Sequence, residues 1–204
     1  MRKYILISTA MMMLTLSLYA SERTLGELSA SLGLINVYYS EAGSQLTGLP
    51  NILDAKGGNV SVLSANIHYK FKPSYHSSWF LNASLPFIST SSDSYFSLGG
   101  GYEYYFSKLG SRSVIKDGDT SIKISPKFHY FVGGELNAGY LVYTTEEAQK
   151  NDTLLEFEAL AGAVYAWKKK WAFRGQLSIS KGVGIATSTF GVKAFVGGTY
   201  FLGD

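Results

Sequence analysis

Apolar and polar residues alternate with period two along most of this 204-residue chain, and no helical period persists beyond the first twenty residues. Period two is the signature of strands whose two faces meet different surroundings, since successive side chains on a strand point to opposite sides. Clusters of Gly, Asn, Asp, Ser and Lys interrupt the alternation and divide the chain into eight segments. These are about Glu27–Tyr39, Asn59–Phe71, Ser78–Ser89, Ser94–Phe106, Thr120–Thr144, Thr153–Trp167, Trp171–Lys181 and Thr189–Leu202. In the second, Leu63, Ala65, Ile67, Tyr69 and Phe71 oppose Ser64, Asn66, His68 and Lys70; in the sixth, Leu155, Phe157, Ala159, Ala161, Ala163, Tyr165 and Trp167 oppose Glu156, Glu158 and Gly162.

Which face points outward follows from the polar face. It carries mostly Ser, Gly, Asn and Thr with isolated charges, a set suited to a narrow bore that side chains fill rather than to a solvated surface. The apolar face runs for about 10 residues per strand, the length a tilted strand needs to cross a bilayer. Trp79, Tyr104, Phe106, Tyr165, Trp167 and Trp171 gather at segment ends, where interfacial aromatic girdles sit. An open sheet in hydrocarbon would leave a row of unpaired backbone groups, so such strands must close into a ring. The expectation is an all-β fold: a closed, antiparallel, up-and-down transmembrane β-barrel with an even number of strands and both termini on the periplasmic side.

The fifth segment decides the strand count. Ile122, Ile124, Phe128, Tyr130 and Val132 share a parity with Leu136, Ala138, Tyr140 and Val142 across Gly133-Gly134. A two-residue turn there would invert the parity, so one long strand over Thr120–Thr144 is expected, giving eight. Ten is the alternative, with a turn at Gly133–Glu135 and a further strand near Arg112–Lys116. Outer links are then expected at Ser40–Gly58, Ser89–Asp93, Glu146–Asp152 and Gly182–Ser188, with a long periplasmic turn at Ser107–Asp119.

The first residues suggest export. Arg2 and Lys3 precede an apolar run from Tyr4 to Leu18, and Leu18-Tyr19-Ala20 precedes Ser21-Glu22-Arg23. That is the plan of a secretory signal peptide over 1–20, with the barrel domain over 21–204. Without that segment the chain has sixteen basic residues against fifteen acidic ones, so no basic field argues for nucleic acid. The absence of cysteine excludes a disulfide scaffold, a thiolate metal site and a thiol nucleophile.

The stretches Gly99-Gly100-Gly101-Tyr102-Glu103-Tyr104-Tyr105-Phe106 and Lys127-Phe128-His129-Tyr130-Phe131-Val132, together with the final strand, resemble the small outer-membrane β-barrel family, the OmpA- and OmpX-like porin-type group. The last strand also resembles the signal read by the barrel-assembly machinery, with Gly197 followed by Tyr200 and Leu202. It departs from that pattern at Phe195 and by ending in Gly203-Asp204. The resemblance implies the outer membrane as location, with lipid and lipopolysaccharide as surroundings. It implies no particular activity.

Candidate functional residues fall into three groups. His68, Lys70, Glu103, Lys123, Lys127, His129, Glu135, Glu156, Glu158, Arg174 and Lys193 lie on the polar face and are expected to form a charge network in the bore, because buried charges need partners. The six aromatics named above form the expected girdle. Leu46, Leu49, Ile52 and Leu53 lie in the link Ser40–Gly58, either as a lid or as a contact for an extracellular or host surface partner. No catalytic residue and no cofactor is expected. Ser92-Asp93-Ser94 and His68 supply the residue types of a hydrolase, but His68 sits well down its strand, and three scattered histidines give no metal spacing. The expected role is structural or surface contact, the alternatives being a narrow porin-like channel and a lipid A-modifying enzyme.

Overall fold

The computed structural model describes residues 26–41, 57–71, 76–89, 93–106, 126–145 and 148–202, and the backbone of 113–117 and 120–124. The segment 1–25 and the apolar loop residues Leu46, Leu49, Ile52 and Leu53 lie outside the described residues. Among the described residues ten strands occur in order: β1 (Glu27–Glu41), β2 (Gly57–Phe71), β3 (Ser77–Ser89), β4 (Ser94–Tyr105), β5 (Ser113–Asp117), β6 (Thr120–Ile124), β7 (Phe128–Thr144), β8 (Gln149–Lys168), β9 (Trp171–Gly184) and β10 (Thr187–Phe201). Eight close into a barrel in the order β1-β10-β9-β8-β7-β4-β3-β2, while β5 and β6 pair only with each other. Every pairing is antiparallel, and closure is made by β1 on β10, from Glu27↔Phe201 to Glu41↔Thr187. The start of β1 and the finish of β10 therefore share one end of the barrel, here called proximal.

The count of eight holds, but the fifth segment is divided otherwise than its parity suggested. Thr120–Thr144 is not one strand: β6 ends at Ile124, and the barrel strand begins at Phe128. Pro126 lies between them and has no N–H to donate to a ladder. On the other side, Asp117 pairs with Thr120, so β5 and β6 form a short antiparallel pair in the link between β4 and β7. The two residues between them in sequence are Gly-Asp, one of the pairs that read as a two-residue hairpin connection. Within β7 the predicted parity is kept through Gly133-Gly134, with Phe128, Tyr130, Val132, Leu136 and Tyr140 all exposed.

A second proline shapes β3. Ser64 pairs with Pro86 but Leu63 pairs with Ile88, so Phe87 is bulged out of the ladder. The extra residue lets a strand containing proline stay in the wall.

Exposed and buried residues alternate around the wall. Leu32, Leu34, Phe87, Phe157, Leu177, Ile179 and Val196 project outward, Val196 at 70% exposure. On β8 the outward apolar series runs from Leu155 to Trp167. At about 3.3 Å per residue and a strand tilt near 40°, those residues cover roughly 30 Å along the barrel axis. That matches the hydrocarbon thickness of a bilayer. Water cannot solvate such a belt without a large hydrophobic cost, so the wall is a surface for acyl chains.

Candidate functional site: the interior of the barrel

The bore is layered. In the proximal layer Glu103 is the hub. Lys70 Nζ lies 2.5 Å from Glu103 Oε2 and Arg174 Nη2 lies 2.5 Å from Glu103 Oε1. His68 Nε2 stands 3.6 Å from the same carboxylate and stacks on Phe80. The Tyr105 hydroxyl donates to Glu103 at 3.0 Å and accepts from Lys70 at 2.9 Å. Glu27 adds a second carboxylate 3.7 Å from Lys70. Arg174 also donates to Gln176 and lies 4.0 Å from the Phe131 ring centroid. Lys70 and Arg174 thus face Glu27 and Glu103, a balanced set of buried charges held by hydrogen bonds.

The middle layer is richer in acid. Lys193 lies 2.5 Å from Glu158 and 3.8 Å from Glu156, and donates to the Tyr95 hydroxyl at 3.1 Å. Tyr95 in turn donates to Glu156. Glu135 and Glu158 are directly opposed across β7 and β8. Asn137 donates to both, and Asn82 donates to Glu135 at 2.8 and 2.9 Å. The two amides thus supply donors to Glu135, which forms no ion pair with Lys193, and Asn137 adds one to Glu158 beside its ammonium.

Above these, at the distal end, the interior turns apolar. Ile35, Val37, Val60, Val62, Leu141, Tyr143 and Leu154 are no more than 2% exposed and pack with Tyr95 and Phe195. The expectation of a polar filling therefore holds for the proximal and middle layers only. Its failure has a visible cause in Leu34-Ile35, Val37-Tyr38, Leu141-Val142 and Leu154-Leu155, where neighbouring residues are both apolar and so both faces of the strand are. Space inside comes from inward glycines. A Cβ on Gly101 would stand 2.6 Å from Phe80 Cζ, and one on Gly162 would stand 2.3 Å from Phe131 Cζ, so each glycine admits the ring of its own cross-strand partner.

Of the eleven charged residues assigned to the bore from sequence, His68, Lys70, Glu103, His129, Glu135, Glu156, Glu158, Arg174 and Lys193 are buried inside. Lys127 is a correction: it is exposed just before β7, with Nζ 5.8 Å from the Tyr165 ring, because the strand begins only at Phe128. Lys123 is another: its backbone belongs to β6, outside the barrel sheet. Parity also points to residues that sequence reasoning passed over, among them Glu27, in phase with buried Ser29, and Tyr95 and Tyr105, each the inward member of an aromatic pair.

All six girdle aromatics are exposed and lie toward the proximal end, with Trp79 against Tyr102 and Trp171 against Tyr200 in edge contacts. The hydrolase elements do not meet. Asp93 accepts from Thr144 at the distal rim, whereas His68 is bound into the proximal layer beside Glu103. Among the described residues no group of three His, Asp or Glu is arranged to hold a metal.

Asp152 performs a different task beyond the apolar belt. It accepts from the backbone N–H groups of Thr153, Ile185, Ala186 and Thr187 and from the Thr187 hydroxyl, at 2.7–3.2 Å. Burial alone would raise this carboxyl, but those hydrogen bonds outweigh it and hold the group below the usual aspartate range. The turn between β9 and β10 is thereby pinned to β8.

A closed antiparallel wall, an outward apolar belt of bilayer height and a filled interior define a membrane-spanning β-barrel of the outer-membrane type. Comparison with solved structures agrees on the fold. Neisserial surface protein A has the same architecture at a TM-score of 0.54, with 10% identity over 85% of this chain and 96% of that one. Ail of Yersinia pestis, crystallised with the heparin analogue sucrose octasulfate, matches at 0.44 with 11% identity over 86% of this chain and 99% of that one. The outer-membrane protease OmpT of Escherichia coli matches at 0.39 with 6% identity over 89% and 97%. No protein-family model matches the chain, and neither does any curated protein.

Proposed function

We propose that this protein resides in the outer membrane as a structural or surface-contact barrel, with the proximal end in the periplasm and the distal links outside, and that it is neither a hydrolase nor an open pore. The apolar layer at the distal end carries this reading: Ile35, Val37, Val60, Val62, Leu141 and Leu154, with the Tyr143 ring among them, fill the bore and offer an ion no charged group. A buried cluster of that size excludes water much as a protein core does. The layers beneath it are bound by ion pairs in which each cation already has a carboxylate. Lipid and lipopolysaccharide surround the belt, and the barrel-assembly machinery inserts the chain. A distal link anchored as the β9–β10 turn is suits contact with a partner at the cell surface.

A narrow channel is the second reading, favoured by one observation. Glu156 Oε1 and Thr189 Oγ1 are buried with no hydrogen-bond partner, which leaves polar capacity in the middle layer. Planar-bilayer recording of the refolded protein separates the two. The structural reading predicts no steady unitary current in the native chain. A stable ohmic conductance that changes in Glu156→Gln would replace it with the channel.

A further inference from the structure

The outer wall carries a depression of about 780 Å³ crossing six strands between Trp79 on β3 and Phe190 on β10. Two adjacent rows of paired residues build it. One row runs Trp79↔Tyr102, Tyr102↔Gly134, Gly134↔Ala159 and Ala159↔Ile179. The other runs Gly100↔Leu136, Leu136↔Phe157, Phe157↔Lys181 and Lys181↔Phe190. Gly134 and Ala159 form a low floor, and Trp79, Tyr102, Leu136 and Phe157 rise around it. Because barrel strands are tilted by about 40°, a row perpendicular to them climbs obliquely across the membrane. With strands about 4.8 Å apart, five spacings give a slot of roughly 24 Å that rises by about 15 Å, the depth of one leaflet.

Lys181 stands at the distal end of this slot. It is the one charged side chain that faces outward within the belt among the described residues, and no acidic side chain among them pairs with it. A lysine on an apolar wall extends its stem along the surface and carries its ammonium to the headgroup level. There the available anion is a lipid phosphate. We propose that this slot is a binding site for a phosphorylated glycolipid of the outer leaflet, the lipid A part of lipopolysaccharide, with one acyl chain lying over Gly134 and Ala159 and a phosphate on Lys181. The inference rests on the orientation given above, which places Lys181 in the outer leaflet.

Native mass spectrometry of the refolded barrel in detergent tests it, with diphosphorylated lipid A, its fully dephosphorylated form and phosphatidylethanolamine as probes. Two variants separate head from chain. Lys181→Gln removes the charge. Gly134→Leu fills the floor without disturbing the wall, because a Cβ at Gly134 meets only the Glu158 carbonyl oxygen at 3.6 Å. The native chain should bind diphosphorylated lipid A at least fivefold more tightly than the dephosphorylated form, and Lys181→Gln should erase that preference, since one basic group near an anionic surface is worth about fivefold. Gly134→Leu should weaken both forms of lipid A while leaving their ratio intact. Equal binding of all three lipids, or a preference that survives Lys181→Gln, overturns the site. The heat-dependent gel shift of the same samples tells the two readings apart. A folded, heat-modifiable barrel without lipid preference contradicts this inference alone. A chain that stays soluble without detergent and shows no shift contradicts the outer-membrane reading and this site together.

Discussion

The two halves of the bore exclude water by opposite means. At the distal end six nearly inaccessible aliphatic side chains pack with the Tyr143 ring inside the barrel, and those aliphatic groups need no specific partner. At the proximal end one carboxylate, Glu103, is held between Lys70 and Arg174 with His68 and Tyr105 beside it. The apolar half draws its stability from burial and close packing, and it tolerates exchange of one apolar residue for another of like volume. The ionic half has to recover a large desolvation cost, so its value depends on every partner being present. A narrow barrel can thus be closed twice, once by a core and once by a lock, and the two closures should fail differently.

The sharpest way to break this contrast is to remove the hub. Glu103→Gln leaves Lys70 and Arg174 buried without their shared countercharge and should cost about 3–5 kcal/mol in urea unfolding from lipid vesicles. It should not create a conducting state, because the distal layer is untouched. A smaller loss of about 2–4 kcal/mol is expected for Leu141→Ala, which opens a cavity in that layer. Its signature is electrical rather than thermodynamic: the variant should show brief openings in planar bilayers that the native chain lacks. If Glu103→Gln conducts and Leu141→Ala does not, the lock and not the core closes the bore.

The least effect concerns the rim that caps the apolar half. The Asp152 carboxyl is held below its ordinary value in the folded chain. Its hydrogen bonds therefore stabilise the fold above the unfolded aspartate pKa of about 3.9 and are lost as pH falls through the lower, folded value. Asp152→Asn should flatten the loss of stability below about pH 4 and cost about 1 kcal/mol at neutral pH. Unfolding curves collected from pH 7 down to pH 2 for both chains check this.

Much of this was legible in the chain because parity is unforgiving: a shift of one residue turns a whole strand inside out. His68 and Lys70 fall inside the bore, and Ile67 and Tyr69 face out, for no reason beyond odd and even number. Where parity misled, another local rule had priority. Pro126 cannot donate to the ladder, so the outward parity shared by Ile122, Ile124 and Phe128 joined two separate sheets, and Lys123 and Lys127 were drawn inward with them. The distal core escaped notice because alternation marks contrast between faces, and at Leu34-Ile35 or Leu154-Leu155 there is none. The partners of Glu103 were visible only as a list of charges. Which of them meet depends on register between strands as distant in sequence as β4 and β9, and period two carries no information about that.

Tryptophan quenching by brominated lipid tests the outward-facing belt most directly. The chain has only three tryptophans, and Trp79, Trp167 and Trp171 all face outward near the proximal end. In vesicles, bromine near the headgroup end of the acyl chains should quench their emission strongly, and bromine at the chain termini should quench it less. Emission that is equally bright with and without brominated lipid, in a chain that remains folded, would mean that this surface does not meet the bilayer.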